Sequence, residues 1–418
     1  MSFQETGFHD SVPDMSSPPA DQARLTAALA DLTVRFGANL QPGQIVAIQT
    51  EPGKEYLARA VAEAAYAHGA KFVDLQLTDP YVKHARASRA DPDTLGFVPD
   101  WLREWELALG RERAARISLR GPIAPRLMDD VDPSLAGRDM LPRVPEFGQV
   151  VRERKTAWTM VPAPTPGWAA VVHPDLEPDA ALEELWTDVE YVCRLDAPDP
   201  VVAWQQRFAE LGSTSARINE LQLDAVRFDG PGTDLEVGLL PAGRWTYAET
   251  TTVDGVKHAP NLPSEEIYTS PDPERVNGVV RATKPLFYVG MMITGIEVAF
   301  ERGHAVRIDA ARGGDALRAL TSCDEGARRI GEVALVGNES RVGDLDTIFY
   351  DTLLDENASS HIAFGHGFPF VVGEEDADRV NSSATHMDFM IGGDDVDVTG
   401  VTRDGREIPL LRGGAWQI

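Results

Sequence analysis

A strand, a helix and a second strand follow one another in residues 42–77, and this unit restricts the fold more than any other segment. PGQIVAIQ and AKFVDLQL are short apolar runs, and EYLARAVAEAAYAHG between them repeats apolar residues at helical spacing. One predicted helix face carries Leu57, Val61, Ala64, Ala65 and His68. Gly69 stands where a left-handed residue commonly ends a helix. Because strands joined through a helix run parallel, the sequence predicts an open α/β domain.

The second half of the chain has a different pattern. FDGPGTDLEVGL, GIEVAFERGHAVRIDA and DVDVTGVTRDGREIPLL alternate apolar and polar residues around Gly or Asp-Gly turns, which indicates antiparallel sheet. We predict helices at 199–212 and 315–331, and a buried strand in PLFYVGMMITGIEVAF at 285–300. The fold class is therefore an N-terminal open α/β domain with a parallel sheet, followed by an α+β domain rich in antiparallel strands.

The length of 418 residues exceeds what one ordinary core accommodates, so two domains are expected. The first 22 residues contain no basic region followed by an apolar run, and we interpret residues 1–20 as a flexible tail. The α/β domain is predicted to cover residues 21–200, ending near the segment DAPDPVV. The α+β domain, residues 201–418, is predicted to carry the metal site.

Charge and cysteine content limit the partners and the compartment. The chain has 39 basic and 66 acidic residues, and its formal net charge of -27 repels phosphate backbones and anionic membranes. We therefore expect no nucleic acid and no membrane partner. The apolar segment 285–300 contains Glu297 and is too short to span a bilayer. Cys193 and Cys323 form no CxxC motif, so we predict a core position for each thiol and a cytoplasmic location.

Histidines and a carboxylate near the C-terminus are the first candidates for chemistry. ENASSHIAFGHGFPF contains His361 among small residues, which we place on a turn, and THMDFMIGG contains His386 and Asp388. If THMDF is a strand, residues 386 and 388 share a face and their side chains can meet one metal ion. A single histidine on an apolar strand is more often a hydrogen-bonded core residue.

Three glutamates are further candidates. NLPSEEIYTSP contributes Glu265 and Glu266, and RRIGEVALVGN places Glu332 in an apolar run. A carboxylate among Val and Leu needs a partner, since burying an unpaired charge is costly. For Glu332 that partner is either a metal ion or an arginine such as Arg328 or Arg329; the remaining alternative is a solvated acid at a helix end. For Glu265 and Glu266 the alternative is a solvated turn.

Four segments in order, NLPSEEIYTSPD, GEVALV, FYDTLLDENASSHIAFG and NSSATHMDFMIGG, resemble the aminopeptidase T and aminopeptidase S family, the thermophilic-type two-metal aminopeptidases. The resemblance implies a homodimeric metalloaminopeptidase that removes N-terminal residues from short peptides with a metal-activated water. It implies two divalent ions, Zn, Co or Mn, as cofactors and short peptides with a free N-terminus as partners. Carried over by position, the implied ligands are Glu266, Glu332, His361, His386 and Asp388, with Glu332 also a possible proton shuttle.

The ligand charges favour two ions over one. Three carboxylates and two neutral imidazoles carry a charge of about -3, so two divalent ions leave about +1 and a single ion leaves about -1. An alternative function is a mononuclear iron ring-cleaving dioxygenase, since such enzymes share this fold. Five ligands would crowd a single iron that must keep positions open for oxygen and substrate.

One position departs from the family pattern. Well-studied members carry a tyrosine seven residues after the metal-binding histidine, where this chain has Phe368, which cannot donate a hydrogen bond. Losing one such donor typically lowers turnover by roughly 100- to 1000-fold. Either a neighbour such as His366 or Tyr350 replaces the donor, or the protein is a catalytically weakened peptide-binding relative, or it uses a different substrate. We predict that Phe368, His366 and Tyr350 belong to the substrate pocket.

Overall fold

The computed structural model describes residues 20–132, 135, 138, 139, 141, 142, 144–288 and 291–418. Of the predicted tail, residues 1–20, only Ala20 falls within these ranges, and the first helix begins there. The division of the chain into 21–200 and 201–418 stays a prediction.

Four parallel strands form the first sheet, in the order β2-β1-β3-β4: β1 is Ile45–Thr50, β2 is Phe72–Leu77, β3 is Ala115–Arg120 and β4 is Ala157–Pro162. The helices of this part are α1 (Ala20–Leu32), α2 (Glu55–Ala67), α3 (Pro80–Arg89), α4 (Asp100–Arg111), α5 (Pro145–Arg152), α6 (Pro166–Val172) and α7 (Pro178–Val192). A π-helical turn (Thr33–Gly37) extends α1, and a 3-10 turn (Pro92–Thr94) precedes α4. The predicted α/β part with a parallel sheet is confirmed.

The strand–helix–strand unit forms as the sequence pattern indicates. Leu57, Val61 and Ala65 of α2 are buried, and Gly69 has a left-handed φ of 88°. His68 is only partly buried, because it caps the end of the helix and its Nδ1 lies 2.9 Å from the Ala64 carbonyl oxygen.

A long helix, α8 (Pro200–Glu220), connects the parallel sheet to the antiparallel part. Asp199 caps it by accepting hydrogen bonds from the backbone N–H groups of Val201 and Val202. The predicted end at residue 212 is wrong, since the helix continues through Gly212. A Cβ there would lie 3.1 Å from the Tyr247 ring, so this glycine allows the close approach of a side chain and does not end the helix.

The remaining strands form antiparallel sheets. In chain order they are β5 (Leu223–Gly230), β6 (Thr233–Leu239), β7 (Thr246–Tyr247), β8 (Thr250–Thr251), β9 (Lys257–His258), β10 (Ile267–Thr269), β11 (Pro271–Arg281), β12 (Leu286–Tyr288), β13 (Met291–Ile293), β14 (Glu297–Glu301), β15 (His304–Asp309), β16 (Ile330–Leu335), β17 (His361–Gly365), β18 (His386–Met390), β19 (Asp397–Thr402), β20 (Glu407–Arg412) and β21 (Ala415–Trp416). Short helices are α9 (Gly314–Leu320), α10 (Arg341–Asp344) and α11 (Thr352–Asp355). Further 3-10 turns are Gly326–Arg328, Glu356–Ala358, Pro369–Val371 and Ala377–Arg379.

Two larger sheets and two small ribbons result. The eight-stranded sheet has the order β15-β14-β11-β6-β5-β19-β20-β21, and the five-stranded sheet has the order β18-β17-β16-β10-β7. β12 pairs with β13, and β8 pairs with β9. The predicted hairpins appear as β5–β6, β14–β15 and β19–β20. One apolar core runs from α1 through both larger sheets.

Two predicted elements are wrong in detail. The segment 285–300 is three short strands, β12, β13 and the start of β14, because the first two pair with each other. The predicted helix 315–331 ends at Leu320. The carboxylate of Asp324 accepts hydrogen bonds from the backbone N–H groups of Ala327 and Ala384, which holds this segment in a turn.

The cysteine prediction holds for one of the two thiols. Cys193 is buried, whereas Cys323 lies exposed in the turn after α9, so its predicted core position is wrong. No helix in the described ranges combines the length and the apolar character needed to cross a bilayer.

Candidate metal centre

The register of the five-stranded sheet brings four of the predicted ligands onto one face. In an antiparallel pair, directly opposed side chains share a face, as do residues two apart on one strand. Glu332 is opposed to Ala363, and Ala363 is opposed to Asp388. His361 lies two residues before Ala363, and His386 lies two residues before Asp388. All four donors therefore project from the same side of β16, β17 and β18.

The distances define two overlapping groups of side chains. Ligand atoms of Glu266, Glu332 and His361 lie within 4.8 Å of one another, and so do those of Glu332, His386 and Asp388. His361 Nε2 is 3.0 Å from Glu266 Oε2. His386 Nε2 is 3.2 Å from both Glu332 Oε2 and Asp388 Oδ1. The structure thus brings together all five residues singled out in the sequence, and Glu332 belongs to both groups.

Backbone carbonyl groups orient both imidazoles. His361 Nδ1 lies 3.3 Å from the carbonyl oxygen of Ser359, and His386 Nδ1 lies 2.7 Å from that of His366. A neutral imidazole that donates from Nδ1 keeps its lone pair on Nε2, which is the atom facing the carboxylates. This arrangement is typical of histidines that bind a metal ion.

A buried oxygen without a partner supports the same interpretation. Glu266 is 5% exposed, and its Oε2 has no hydrogen-bond partner among the described residues. His361 Nε2 is close to this oxygen but is not aligned for a hydrogen bond, as expected for two atoms that converge on a third. A buried carboxylate oxygen is costly without compensation, and a cation would supply it. The residues present therefore fit a divalent metal ion.

The electrostatics of the site point to missing positive charge. Burial raises the pKa of Glu332 to about 7, with the charges of Glu266 and Asp388 adding to the effect against the opposing contact with His386. Burial by itself lowers the pKa of His361, but the carboxylates of Glu266, Asp388 and Glu332 together outweigh burial and raise that pKa to about 10. Both shifts mean that Glu332 and His361 bind protons more tightly than usual, and metal ions would compete with those protons for the same donor atoms.

Glu356 is a buried carboxylate beside the centre that the sequence analysis did not select. Its Oε1 accepts a hydrogen bond of 3.1 Å from Asn261 Nδ2. Burial, together with the nearby charges of Asp388 and Glu266, raises its pKa well above the ordinary value. The signal in the sequence was the acid in DENA, five residues before His361 and directly after the apolar segment TLLD.

The neighbouring Glu265 is an anchor for the segment that carries Glu266. Its carboxylate forms ion pairs of 2.6 Å with both Arg194 and Arg207. Its backbone N–H donates to Asn357 Oδ1 over 2.6 Å, which ties the segment to the residue after Glu356. Glu265 is 1% exposed, so the alternative of a solvated turn is wrong for both glutamates.

Two other expectations about the ligands are corrected. Arg329 donates to the Pro273 carbonyl and Arg328 to Ser322 Oγ, so neither arginine is the partner of Glu332. His361 begins strand β17 and does not lie on a turn, because its backbone pairs with Ala334 and Met390 on the two neighbouring strands.

The three predicted pocket residues lie in different places. The Phe368 ring centre is 5.2 Å from that of His386, directly beside the cluster. His366 is half-buried and follows β17. Tyr350 packs against Phe287 at 6.2 Å and lines a separate cavity of about 500 Å³, whose lining contains none of the five ligand residues.

Comparison with known proteins also indicates a metal-dependent protein. A family model described as thermophilic metalloprotease (M29) matches residues 22–416. The chain is 39% identical to aminopeptidase T of Thermus aquaticus over 400 residues, covering 93% of this chain and 98% of the relative. It is 34% identical to aminopeptidase 2 of Geobacillus stearothermophilus, with coverages of 93% and 96%. The solved structure of wild-type AmpT from Thermus thermophilus superposes with a TM-score of 0.87 at 37% identity, covering 94% of this chain and 99% of that one.

Proposed function

This chain belongs to the thermophilic metalloprotease family (M29) and is a metal-dependent aminopeptidase, and we propose that it uses two divalent ions to remove N-terminal residues from short peptides. The observation that carries the proposal is the pair of overlapping donor groups that share Glu332. Three carboxylates and two imidazoles balance two divalent ions better than one, and Glu356 adds a further acid beside them.

Divalent ions at such a site polarise the scissile carbonyl group and lower the pKa of water near them. The protein's own carboxylates would move the proton. Glu332 belongs to both donor groups, which makes it our candidate to take a proton from the attacking water and pass it to the leaving amine. Glu356 is the second candidate for this proton transfer, because it is buried beside the same donors. Among the described residues its carboxylate accepts a hydrogen bond from Asn261 alone.

The burial of the donors supports short substrates. Glu266, Glu332, His361 and Asp388 are all less than a tenth exposed, and His386 is the most accessible of the five. A site of this depth admits a chain end more readily than a segment within a folded protein. The proposal also includes a homodimer, which the family resemblance implies, and a cytoplasmic location, which the cysteine content favours.

The test is hydrolysis of amino-acid p-nitroanilides and short peptides by protein that is first chelated and then reloaded with Zn²⁺, Co²⁺ or Mn²⁺. We expect activity to vanish with the metal, to return with it, and to require a free N-terminal amine. A chelated protein with full activity, or equal cleavage of N-acetylated peptides, would contradict the proposal.

Metal stoichiometry separates the other functions. Two divalent ions per chain fit the aminopeptidase, whereas one ferrous ion per chain would fit the ring-cleaving dioxygenase, which the aminopeptidase relatives do not favour. A metal-loaded protein that binds peptides tightly without turnover would instead be a weakened relative.

A further inference from the structure

The hydroxyl missing at Phe368 has a counterpart on the neighbouring strand. Tyr268 of β10 is opposed to Ala334, which is itself opposed to His361, so the three side chains share the face of the sheet that carries the ligands. Tyr268 also lies two residues after the ligand Glu266, which directly precedes β10. The Tyr268 side chain therefore lies on the face of the sheet that carries the metal centre.

The rings of Tyr268 and Phe368 are in direct contact. Their centres are 5.5 Å apart, and the planes meet edge to face at 69°. The Phe368 ring also contacts His386, with ring centres 5.2 Å apart. The ring at position 368 thus contacts both a ligand and a second aromatic side chain, and that second side chain carries the hydroxyl.

The Tyr268 hydroxyl is available as a donor. The side chain is 7% exposed, and within the part of the chain that the structure describes its hydroxyl makes no hydrogen bond. A buried tyrosine usually finds an acceptor for its O–H group. A phenol has an ordinary pKa of about 10, so the hydroxyl keeps its proton at neutral pH.

Two other tyrosines are less suitable donors. Tyr288 donates to the His386 carbonyl oxygen over 3.0 Å and is already engaged. Tyr350 lines the separate cavity beside Phe287. His366 Nδ1 is buried and makes no hydrogen bond in the described ranges, so His366 is the competing donor; if it serves instead, Tyr268→Phe leaves kcat unchanged.

We propose that the hydroxyl of Tyr268 donates the hydrogen bond to the developing oxyanion that Phe368 cannot donate, so that the donor stands on the second ring of this contacting pair. This inference rests on the proposed peptidase function. In the step concerned, the water oxygen bonds to the carbonyl carbon, the π electrons move to the carbonyl oxygen, and one water proton passes to a carboxylate. Tyr268 stabilises that oxygen without losing its proton. The C=O bond then re-forms, the C–N bond breaks, and the nitrogen takes the proton from the carboxylate, leaving an acid and an amine.

The experiment compares wild-type protein with Tyr268→Phe and with the double variant Tyr268→Phe/Phe368→Tyr on an amino-acid p-nitroanilide. We expect Tyr268→Phe to lower kcat by roughly 100-fold or more with KM unchanged, because the lost donor acts on the transition state. The double variant returns the hydroxyl on the other ring and should recover most of kcat. Tyr56→Phe, which removes the hydroxyl of a half-buried tyrosine bonded to the Pro164 carbonyl and outside both donor groups, is the matched control.

Two readouts do not depend on turnover. Metal content should be the same in all variants. Affinity for an α-aminophosphonic acid, a tetrahedral mimic, measured by calorimetry, should fall at least about tenfold in Tyr268→Phe and return in the double variant. A Tyr268→Phe protein with wild-type kcat would overturn the inference, as would a loss of kcat that comes with loss of metal or that position 368 does not rescue.

The single variant Phe368→Tyr is a separate test of whether the wild-type site already has a donor. Because the donor is already present, this variant should change kcat only slightly, and a rise of tenfold or more would show that the wild-type site lacks a donor. If the wild-type protein cleaves no aminoacyl substrate at all, the peptidase proposal itself fails. Mimic binding by the metal-loaded variants then still decides the role of Tyr268.

Discussion

Glu332 Oε2 lies 3.2 Å from Nε2 of His386. The same glutamate also belongs to the donor group formed with Glu266 and His361. The two donor groups are thus joined through one side chain on β16. A change at this position acts on the whole centre, whereas a change at its edge acts on one half.

Replacing Glu332 by Gln should remove both metal ions. The amide keeps the size of the side chain but loses the charge shared by the two groups, so we expect metal affinity to fall by at least about 100-fold at both sites. Asp388→Asn, at the edge of one group, should weaken mainly one ion. Metal content after reloading gives the measurement, with the surface variant Glu236→Gln as control. Two tightly bound ions in Glu332→Gln protein would contradict the shared-ligand interpretation.

Glu265→Gln should destabilise the fold strongly. The substitution leaves the buried guanidinium groups of Arg194 and Arg207 without their carboxylate, which typically costs about 3–5 kcal/mol in the free energy of unfolding. Glu210→Gln removes an exposed partner of Arg207 and should cost less than about 1 kcal/mol. Denaturant unfolding of metal-free protein measures both, and equal effects would show that Glu265 is not an anchor.

His258 should make stability depend on acid pH. Burial lowers its pKa from 6.5 to about 4, against the opposing influence of the Val256 backbone and Glu249. The unfolded chain therefore binds a proton below pH 6.5 that the folded protein refuses until about pH 4. Stability from this group is lost as the pH falls through that window, by up to about 3 kcal/mol.

The variant His258→Gln isolates this effect. Glutamine does not titrate and can still reach Thr250, whose hydroxyl lies 2.8 Å from His258 Nε2. As the pH is lowered from 7 to 4, the wild-type protein should lose more unfolding free energy than the variant does. Parallel stability curves over this range would rule out the assignment to His258.

Gly331→Ala should disturb the metal centre through the backbone. A Cβ at this position would lie 2.2 Å from the Gly365 carbonyl oxygen and 2.5 Å from that of His366, the group that orients the His386 ring. We expect a loss of about 1–3 kcal/mol in stability, together with weaker metal binding. Gly96→Ala, where a Cβ meets no atom within 4 Å, is the control. Unchanged metal affinity in Gly331→Ala protein would show that the His366 carbonyl is not needed.

Local periodicity was sufficient for part of the fold. The unit around α2 and the alternation that puts His386 and Asp388 on one face depend only on neighbouring residues, and both are found. The end of α9 depends on Asp324 binding the backbone of Ala384, sixty residues away, which no local pattern contains.

The metal centre also combines features that depend on neighbouring residues with features that depend on distant ones. Its ligand set came from a resemblance, because bringing Glu266 and Glu332 to His361 requires the pairing of β10, β16 and β17. Glu356 and Tyr268 were overlooked for this reason. Each looks ordinary in its own segment and becomes notable only through neighbours supplied by other strands.

The single face shared by β16, β17 and β18 also determines which length changes the chain tolerates. One residue inserted between His386 and Asp388 would reverse the phase of one relative to the other, so that the imidazole and the carboxylate would no longer share a face. Insertions in the loop between β17 and β18, residues 366–385, leave that phase intact. Variation in loop length among relatives should therefore concentrate there, while the spacing inside the strands stays constant.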